Sequence, residues 1–218
     1  SLGLVGSEMC IRDRPSIENK ILRINLNENI YGTFVEIGAG QEVVRGFYRV
    51  GGASGTIAKS MSAYDRSFSD SIYGKDGEKR YVTQNRLDQM LDHEMNLLEQ
   101  RISRDEFPNK FFFVYANTVA TIDFVKKFKG HGWMGIRFQT NPNDEYSEIK
   151  LHVRFHQNEA KLQQESLGIM GVNLIYGAFY KHNEPINLMK YLYDHIDDES
   201  IEIDTCLLYT SPSPRDRG

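Results

Sequence analysis

Residues 131–156 read HGWMGIRFQTNPNDEYSEIKLHVRFH, and this stretch decides the fold class. Apolar residues occupy alternate positions on both flanks, and the turn-forming string NPND at residues 141–144 separates the flanks. A period of two predicts half-buried strands, so the stretch predicts an antiparallel hairpin with one apolar face. The opposite face carries His131, Arg137, Lys150, His152, Arg154 and His156. This polar face is the first candidate for a functional surface.

The segments on either side of the hairpin predict a sheet covered by helices. Residues 33–37 and 111–116 are apolar runs typical of buried strands. Residues 83–103 repeat apolar positions at helical spacing, and residues 159–180 are apolar nearly all round in their second half. The predicted fold is therefore mixed α/β (α+β), with the 131–156 hairpin in a mixed sheet and helices packed on it. The predicted core contains Phe34, Ile37, Leu91, Phe112, Val114, Ile136, Phe138, Leu151, Val153, Ile169 and Leu174.

The two ends of the chain differ from the rest. Residues 4–13 read LVGSEMCIRD and residues 206–216 read CLLYTSPSPRD. Suitable codons for one string give DNA whose opposite strand, in a shifted frame, encodes the other, as expected of the two strands of one sequencing adaptor. We therefore expect residues 1–14 and 206–218 to be disordered, translated adaptor. Residues 15–205 are then predicted to form a single α/β domain, the amino-terminal part of a longer protein whose carboxy-terminal half is a missing partner.

Composition excludes several classes of function. The formal net charge of −4 is unfavourable for general nucleic-acid binding. No apolar run reaches the roughly 20 residues of a membrane helix, so neither nucleic acid nor a membrane is an expected partner, and the expected location is the cytoplasm. Both cysteines fall in the two ends, which leaves the domain without disulfides or zinc thiolates. The His93–Glu94 pair lacks the second histidine of a zinc motif, because Leu97 takes that position, so no metal site is predicted.

Two glycine-rich turns are candidates for binding an anion. The first follows the strand at residues 33–37 and precedes a predicted helix, an arrangement that directs backbone N–H groups toward a ligand. The same turn could simply pack a helix on the sheet, and both interpretations stay open. The second turn covers residues 51–55, and Lys59 follows it. Asn117 ends a buried strand, where ligands bind in open α/β sheets. With the hairpin arginines, the ligand-binding candidates are Gly38, Gly40, Gln41, Gly52, Ser54, Gly55, Lys59, Asn117, Arg137 and Arg154.

Several stretches resemble a large uncharacterised bacterial protein family: residues 23–65, the strings HGWMGIRFQ and LHVRF, the helix LQQESLGIMGVNLIYGAFY, and IEID. The resemblance covers most of residues 21–204. Family members carry two conflicting labels, nicotinate-nucleotide adenylyltransferase and TonB-dependent receptor. The receptor label implies many amphipathic strands in a large barrel, which the buried helices contradict. The adenylyltransferase label implies an HxGH phosphate motif near the first strand, whereas the nearest similar string here is at residues 130–133.

Three functional hypotheses follow. In the first, the domain binds a phosphorylated or nucleotide-like small molecule, with Arg137 and Arg154 paired to anionic oxygens. His131 or His152 would then transfer protons, with Glu36 as a carboxylate partner. An adenylyltransferase-like enzyme is a variant of this hypothesis. In the second, the hairpin face is a non-enzymatic contact surface for another domain or a second copy of the chain. In the third, the face is only solvated. The sequence indicates no particular cofactor and does not decide whether the protein is an enzyme.

Overall fold

In the computed structural model, the chain forms a six-stranded mixed sheet with helices packed on both faces. The structure describes residues 14–75, 80–123, 125, 128–197 and 199–209. Its strands are β1 (Ile30–Gly38), β2 (Ile57–Ala63), β3 (Phe111–Ala120), β4 (His131–Phe138), β5 (Ser147–Phe155) and β6 (Ile201–Tyr209). Its helices are α1 (Ile17–Asn25), α2 (Glu42–Val50), α3 (Arg66–Tyr73), α4 (Gln84–Arg101), α5 (Ala160–Tyr180) and α6 (Pro185–Leu192).

The sheet has a parallel half and an antiparallel half, in the order β2-β1-β3-β4-β5-β6. β1 pairs in parallel with β2 and β3, whereas β4, β5 and β6 each pair antiparallel to the strand before them in this order. The connection from β1 to β2 runs through α2 on one face, and the connection from β2 to β3 runs through α3 and α4 on the other. β1 and β3 therefore form a topological switch point, where a crevice opens at the carboxyl ends of the strands.

Alternation along the strands creates a core on each face of the sheet. Phe34, Phe113 and Ile136 point toward α1, α2, α5 and α6, whereas Val35 and Val114 point toward α3 and α4. The strands of the parallel half are buried on both faces, which is why the sequence of β3 is almost continuously apolar. The antiparallel half buries one face in the larger core and places its polar residues on the α4 side.

Helix α5 packs closely on α2 because its glycines remove side chains from the contact. A Cβ on Gly171 would lie 2.4 Å from Val43 Cγ2 and 2.7 Å from the Tyr115 hydroxyl oxygen, and a Cβ on Gly168 would lie 2.9 Å from Glu42 Cβ. Real Cβ atoms do not approach other atoms this closely. The glycines that lower the intrinsic propensity of this helix are thus required by its packing.

The structure confirms the mixed α/β fold and the hairpin, which forms β4 and β5. All of the predicted core residues are buried except Ile169, which is half-buried on α5. Cys206–Tyr209 extend β6 and pair with β5, although the sequence analysis places them outside the domain. Their pairing has a local cause, since a register shift at Asp204 lets Cys206 and Leu208 pack against the same core as Ile201 and Ile203. The other expected adaptor residues, apart from Arg14, lie outside the described residues.

The helices of the described ranges all fall short of the length and apolar character that crossing a membrane requires.

Candidate ligand-binding site

A cleft of about 520 Å³ lies where the three parallel strands end. Its floor includes Gly38 from the end of β1 and Ala120 from the end of β3, and Tyr64 follows the end of β2. This is the carboxyl edge of the parallel strands at the switch point between β1 and β3. Ligand sites in open α/β sheets occupy this position, and the volume falls within the range of about 300–1,000 Å³ for small-molecule sites.

The cleft is lined by one arginine, by the carboxylates Asp65 and Asp123, and by aromatic surface. Arg66 begins α3, and its guanidinium carbon lies 4.8 Å from the centre of the Tyr81 ring. Tyr64 lies at the rim with 77% of its surface exposed. Ser69 is buried in the wall, and its hydroxyl has no hydrogen-bond partner among the described residues. Arg66 and Tyr64 therefore provide a cation and an exposed ring face to a molecule in the cleft.

Glu36 is buried at the amino end of α2, on the opposite face of the sheet from the hairpin histidines. Its Oε1 accepts a hydrogen bond from the Val44 amide (3.3 Å) and lies 3.5 Å from Asn117 Nδ2. Burial raises the pKa of Glu36 from 4.5 to about 8, even though the helix amides and Asn117 favour the charged form. The carboxyl group of Glu36 thus occupies the amino end of α2, where a bound anion would otherwise lie. The sheet separates Glu36 from His131, so the two residues do not form one site.

The glycines after β1 serve close packing. Gly38 has a φ of +76°, and a Cβ there would lie 2.3 Å from the Val119 carbonyl oxygen. A Cβ on Gly40 would lie 2.4 Å from Asn117 Oδ1, and Asn117 Nδ2 donates to the Gly40 carbonyl. Gln41 is exposed and donates to the carbonyl of Gly38. Of this group, Gly38 lines the strand-end cleft, whereas Asn117 is fully buried beneath the turn.

The second glycine turn lies at the opposite edge of the sheet. Gly52, with a φ of +75°, and Ser54 precede β2, so they are a full strand length away from Gly38. Gly55 lines another cleft, of about 560 Å³, whose Lys110 ammonium donates to the carbonyls of Gly55 (3.2 Å) and Glu28 (2.6 Å). The two glycine turns therefore do not converge on one ligand.

Lys59 is paired within the chain. Its ammonium contacts the buried carboxylate of Glu94 on α4, which also accepts a hydrogen bond from the Tyr73 hydroxyl (2.8 Å). A carboxylate with only 1% of its side chain exposed requires such a partner. The geometry therefore explains Lys59 as the counterion of Glu94.

Carboxylates of the chain also neutralise the basic hairpin face. Arg137 pairs with Glu148 on β5 and with Asp92 on α4 (2.6 Å). Lys150 pairs with the same Glu148 (2.5 Å) and with Asp88 on α4 (2.7 Å). These contacts join the helix to the sheet and leave little positive charge for a ligand at Arg137.

Beside this ionic cluster, three side chains form a line of hydrogen bonds across β4, β5 and β6. His131 Nδ1 lies 2.8 Å from His152 Nε2, and His152 Nδ1 lies 2.5 Å from Asp204 Oδ1. Arg154 Nε donates to the other carboxylate oxygen of Asp204 (2.6 Å). Burial alone would raise the pKa of Asp204, but the hydrogen bonds from His152 and Arg154 outweigh it and lower the pKa. Arg154 therefore holds a carboxylate in place and does not present a free guanidinium.

Sequence reasoning missed Asp204, Arg66 and the two cleft tyrosines. The alternation of residues 201–204 (IEID) could have indicated Asp204. Asp204 alternates with the apolar residues Ile201 and Ile203 and so shares a face of the sheet with His152. Arg66 had a weaker signal, its place just after the end of a strand. Nothing in the local sequence indicated that Tyr81 would approach Arg66.

The fold and the cleft define an α/β protein with a small-molecule-sized site at the ends of its parallel strands. No family model and no curated protein matches the chain. Among solved structures, the chain is similar to a competence-damaged protein (CinA) superfamily protein from Enterobacter cloacae, with a TM-score of 0.55 and 8% identity over 76% of this chain and 94% of that one. It is also similar to a competence or damage-inducible protein from Enterobacter asburiae, with a TM-score of 0.53 and 8% identity over 76% and 99%. At this identity the similarity shows the fold alone.

Proposed function

We propose that the protein binds a phosphorylated or nucleotide-like small molecule in the strand-end cleft. The observation that carries this proposal is the position of the cleft, at the carboxyl ends of β1, β2 and β3 and at the switch point of the sheet. The site differs from the predicted one, since it uses the first glycine turn through Gly38 and Ala39 and does not use Arg137 or Lys59.

Arg66 is the group of the cleft that favours an anionic ligand, and the carboxylates Asp65 and Asp123, which also line it, each accept a backbone N–H hydrogen bond. Arg66 makes no ion pair with any described residue and contacts the Tyr81 ring, so its guanidinium can pair with phosphate oxygens without breaking a salt bridge. Tyr64, which is exposed at the rim, offers a ring face on which a base can stack, whereas the Tyr81 ring is already in contact with the guanidinium groups of Arg66 and Arg86. Hydrogen bonds to charged groups contribute about 1.5–3 kcal/mol each, which corresponds to roughly a 10- to 100-fold change in Kd for the loss of Arg66.

The test is a binding measurement with AMP, ADP, ribose 5-phosphate and inorganic phosphate, by thermal shift first and calorimetry second. Arg66→Ala should weaken binding of the tightest ligand by about 10- to 100-fold. Arg49→Ala is the matched control, because Arg49 is an exposed arginine in the last turn of α2, toward the opposite edge of the sheet. Equal binding by the Arg66 variant and the parent protein, or no binding of any compound, would contradict the proposal.

A further inference from the structure

The line of hydrogen bonds from Asp204 through His152 to His131 fixes which nitrogen of each ring carries a proton. Asp204 is ionised and accepts from His152, so His152 Nδ1 is protonated and, in the neutral ring, its Nε2 is an acceptor. His152 Nε2 then accepts from His131 Nδ1–H at 2.8 Å. The remaining nitrogen, His131 Nε2, carries a lone pair. No described residue is hydrogen-bonded to it.

The free nitrogen of His131 belongs to a ring next to the cleft. His131 pairs with Ala120 across β3 and β4, and Ala120 lines the cleft. Directly opposed residues of an antiparallel pair have Cβ atoms about 5 Å apart and project from the same face. Arg80, which precedes the cleft residue Tyr81, is near enough for its charge to act on His131. The imidazole therefore lies beside Ala120, next to the β4 side of the cleft, although His131 is not one of the residues that line it.

Neighbouring rings hold this arrangement in position. The Phe128 ring packs edge-on against His131 with a centroid distance of 5.6 Å, and Trp133 lies against His152 at 4.9 Å. Burial lowers the pKa of His131, the charges of Arg154 and Arg80 lower it further, and Asp204 opposes them. At neutral pH the ring is consequently uncharged and able to accept a proton.

We infer that His131 is a proton acceptor for the ligand in the cleft, and that His152 and Asp204 are positioning residues that fix its tautomer. The inference rests on the proposed function, because the cleft must hold the ligand. In the step, an O–H bond of the bound ligand or of a water beside it breaks, its electron pair stays on oxygen, and the proton forms an N–H bond at His131 Nε2. Asp204 stabilises the resulting positive charge through His152, and no other reactant is required. The substrate class is a phosphorylated small molecule that has a hydroxyl group or is attacked by water.

The first test is nitrogen-15 NMR of the histidine side chains in the whole chain. His131 and His152 should each show a protonated Nδ1 and an unprotonated Nε2 at neutral pH. Asp204→Asn should mix the tautomers of both rings and lower the pKa of His131. Glu202→Gln is the matched control, because Glu202 lies on the same strand and pairs with His156 (3.2 Å), which is not part of the line. A protonated Nε2 on His131, or unchanged tautomers in the Asp204 variant, would overturn the inference.

The second test connects the line to the cleft, with AMP as the probe. Saturating AMP should shift the His131 Nε2 resonance in the parent protein, and the Arg66→Ala variant should lose that shift at the same AMP concentration. If AMP binds through Arg66 but His131 does not respond, the proposed function stands and this inference is overturned. If AMP leaves both the melting temperature and His131 unchanged while another compound binds, the same titration with that compound decides. If no compound binds, both proposals are overturned, whatever the tautomers.

Discussion

Glu36→Gln should make the protein more stable in alkaline solution. Glu36 is 1% exposed, and its pKa is raised to about 8 because burial disfavours the charged form. Folding therefore favours the protonated carboxyl group, whose contribution to stability is complete below pH 4.5 and is lost as the pH rises toward about 8. A glutamine is neutral at every pH and keeps an oxygen that can accept the Val44 amide.

The size of the effect follows from the two pKa values. A difference of one in pKa corresponds to about 1.4 kcal/mol, so the change from 4.5 to about 8 corresponds to about 5 kcal/mol at most. Domains of this size are stable by about 5–15 kcal/mol, so the loss is a large part of the total. The Glu36→Gln variant should match the parent near pH 5 and exceed it by several kcal/mol at pH 9.

Urea denaturation at pH 5, 6, 7, 8 and 9 measures this difference directly. Other titrating groups are common to both proteins, so the difference in unfolding free energy isolates Glu36. Asn117 and the α2 amides favour the ionised form, and they supply the competing outcome. If the variant is less stable than the parent at pH 9, the helix amides hold a charged carboxylate, and the reasoning from burial is refuted.

Three further predictions concern packing and charge. Gly171→Ala should lower the free energy of unfolding by about 2 kcal/mol in calorimetry, because overpacking against α2 outweighs the gain in helix propensity. The control is Gly55→Ala, where a Cβ meets nothing within 4 Å and the expected change is less than about 0.5 kcal/mol. Equal effects of the two substitutions would refute the packing argument. Asp194→Ala should lower the free energy of unfolding in urea by about 3–5 kcal/mol, because it leaves the fully buried Lys20 without its carboxylate. Adding Lys20→Met should restore much of this stability, and no recovery in the double variant would disprove the cause. Arg137→Ala should lower the free energy of unfolding by about 1–2 kcal/mol, because it removes the ion pairs with Asp92 and Glu148, and should leave the Kd of the ligand within twofold of the parent value. A tenfold weaker Kd would indicate that the ligand binds at the hairpin face.

The sequence was sufficient for the hairpin because its signal is local. Alternation over residues 131–139 and 149–156 determines which side chains share a face, and the turn string between them determines how the strands pair. Ile169 shows the limit of this reasoning. It lies on a helix that is apolar nearly all round, and in such a helix composition does not show which side chain faces the least covered direction.

The function of the basic face was not predictable in the same way, because its partners come from distant parts of the chain. Asp88 and Asp92 are four residues apart, so they lie on one side of α4, and that side meets the sheet where Arg137 and Lys150 project. An ionic contact between a helix and a sheet has a recognisable pattern. The strand carries basic residues with a period of two, and the helix carries acidic residues four apart at the edge of its apolar stripe. The same argument separates Arg66 from the hairpin arginines: it begins a helix beside a strand end, where no described carboxylate pairs with it, and its charge remains available to a ligand.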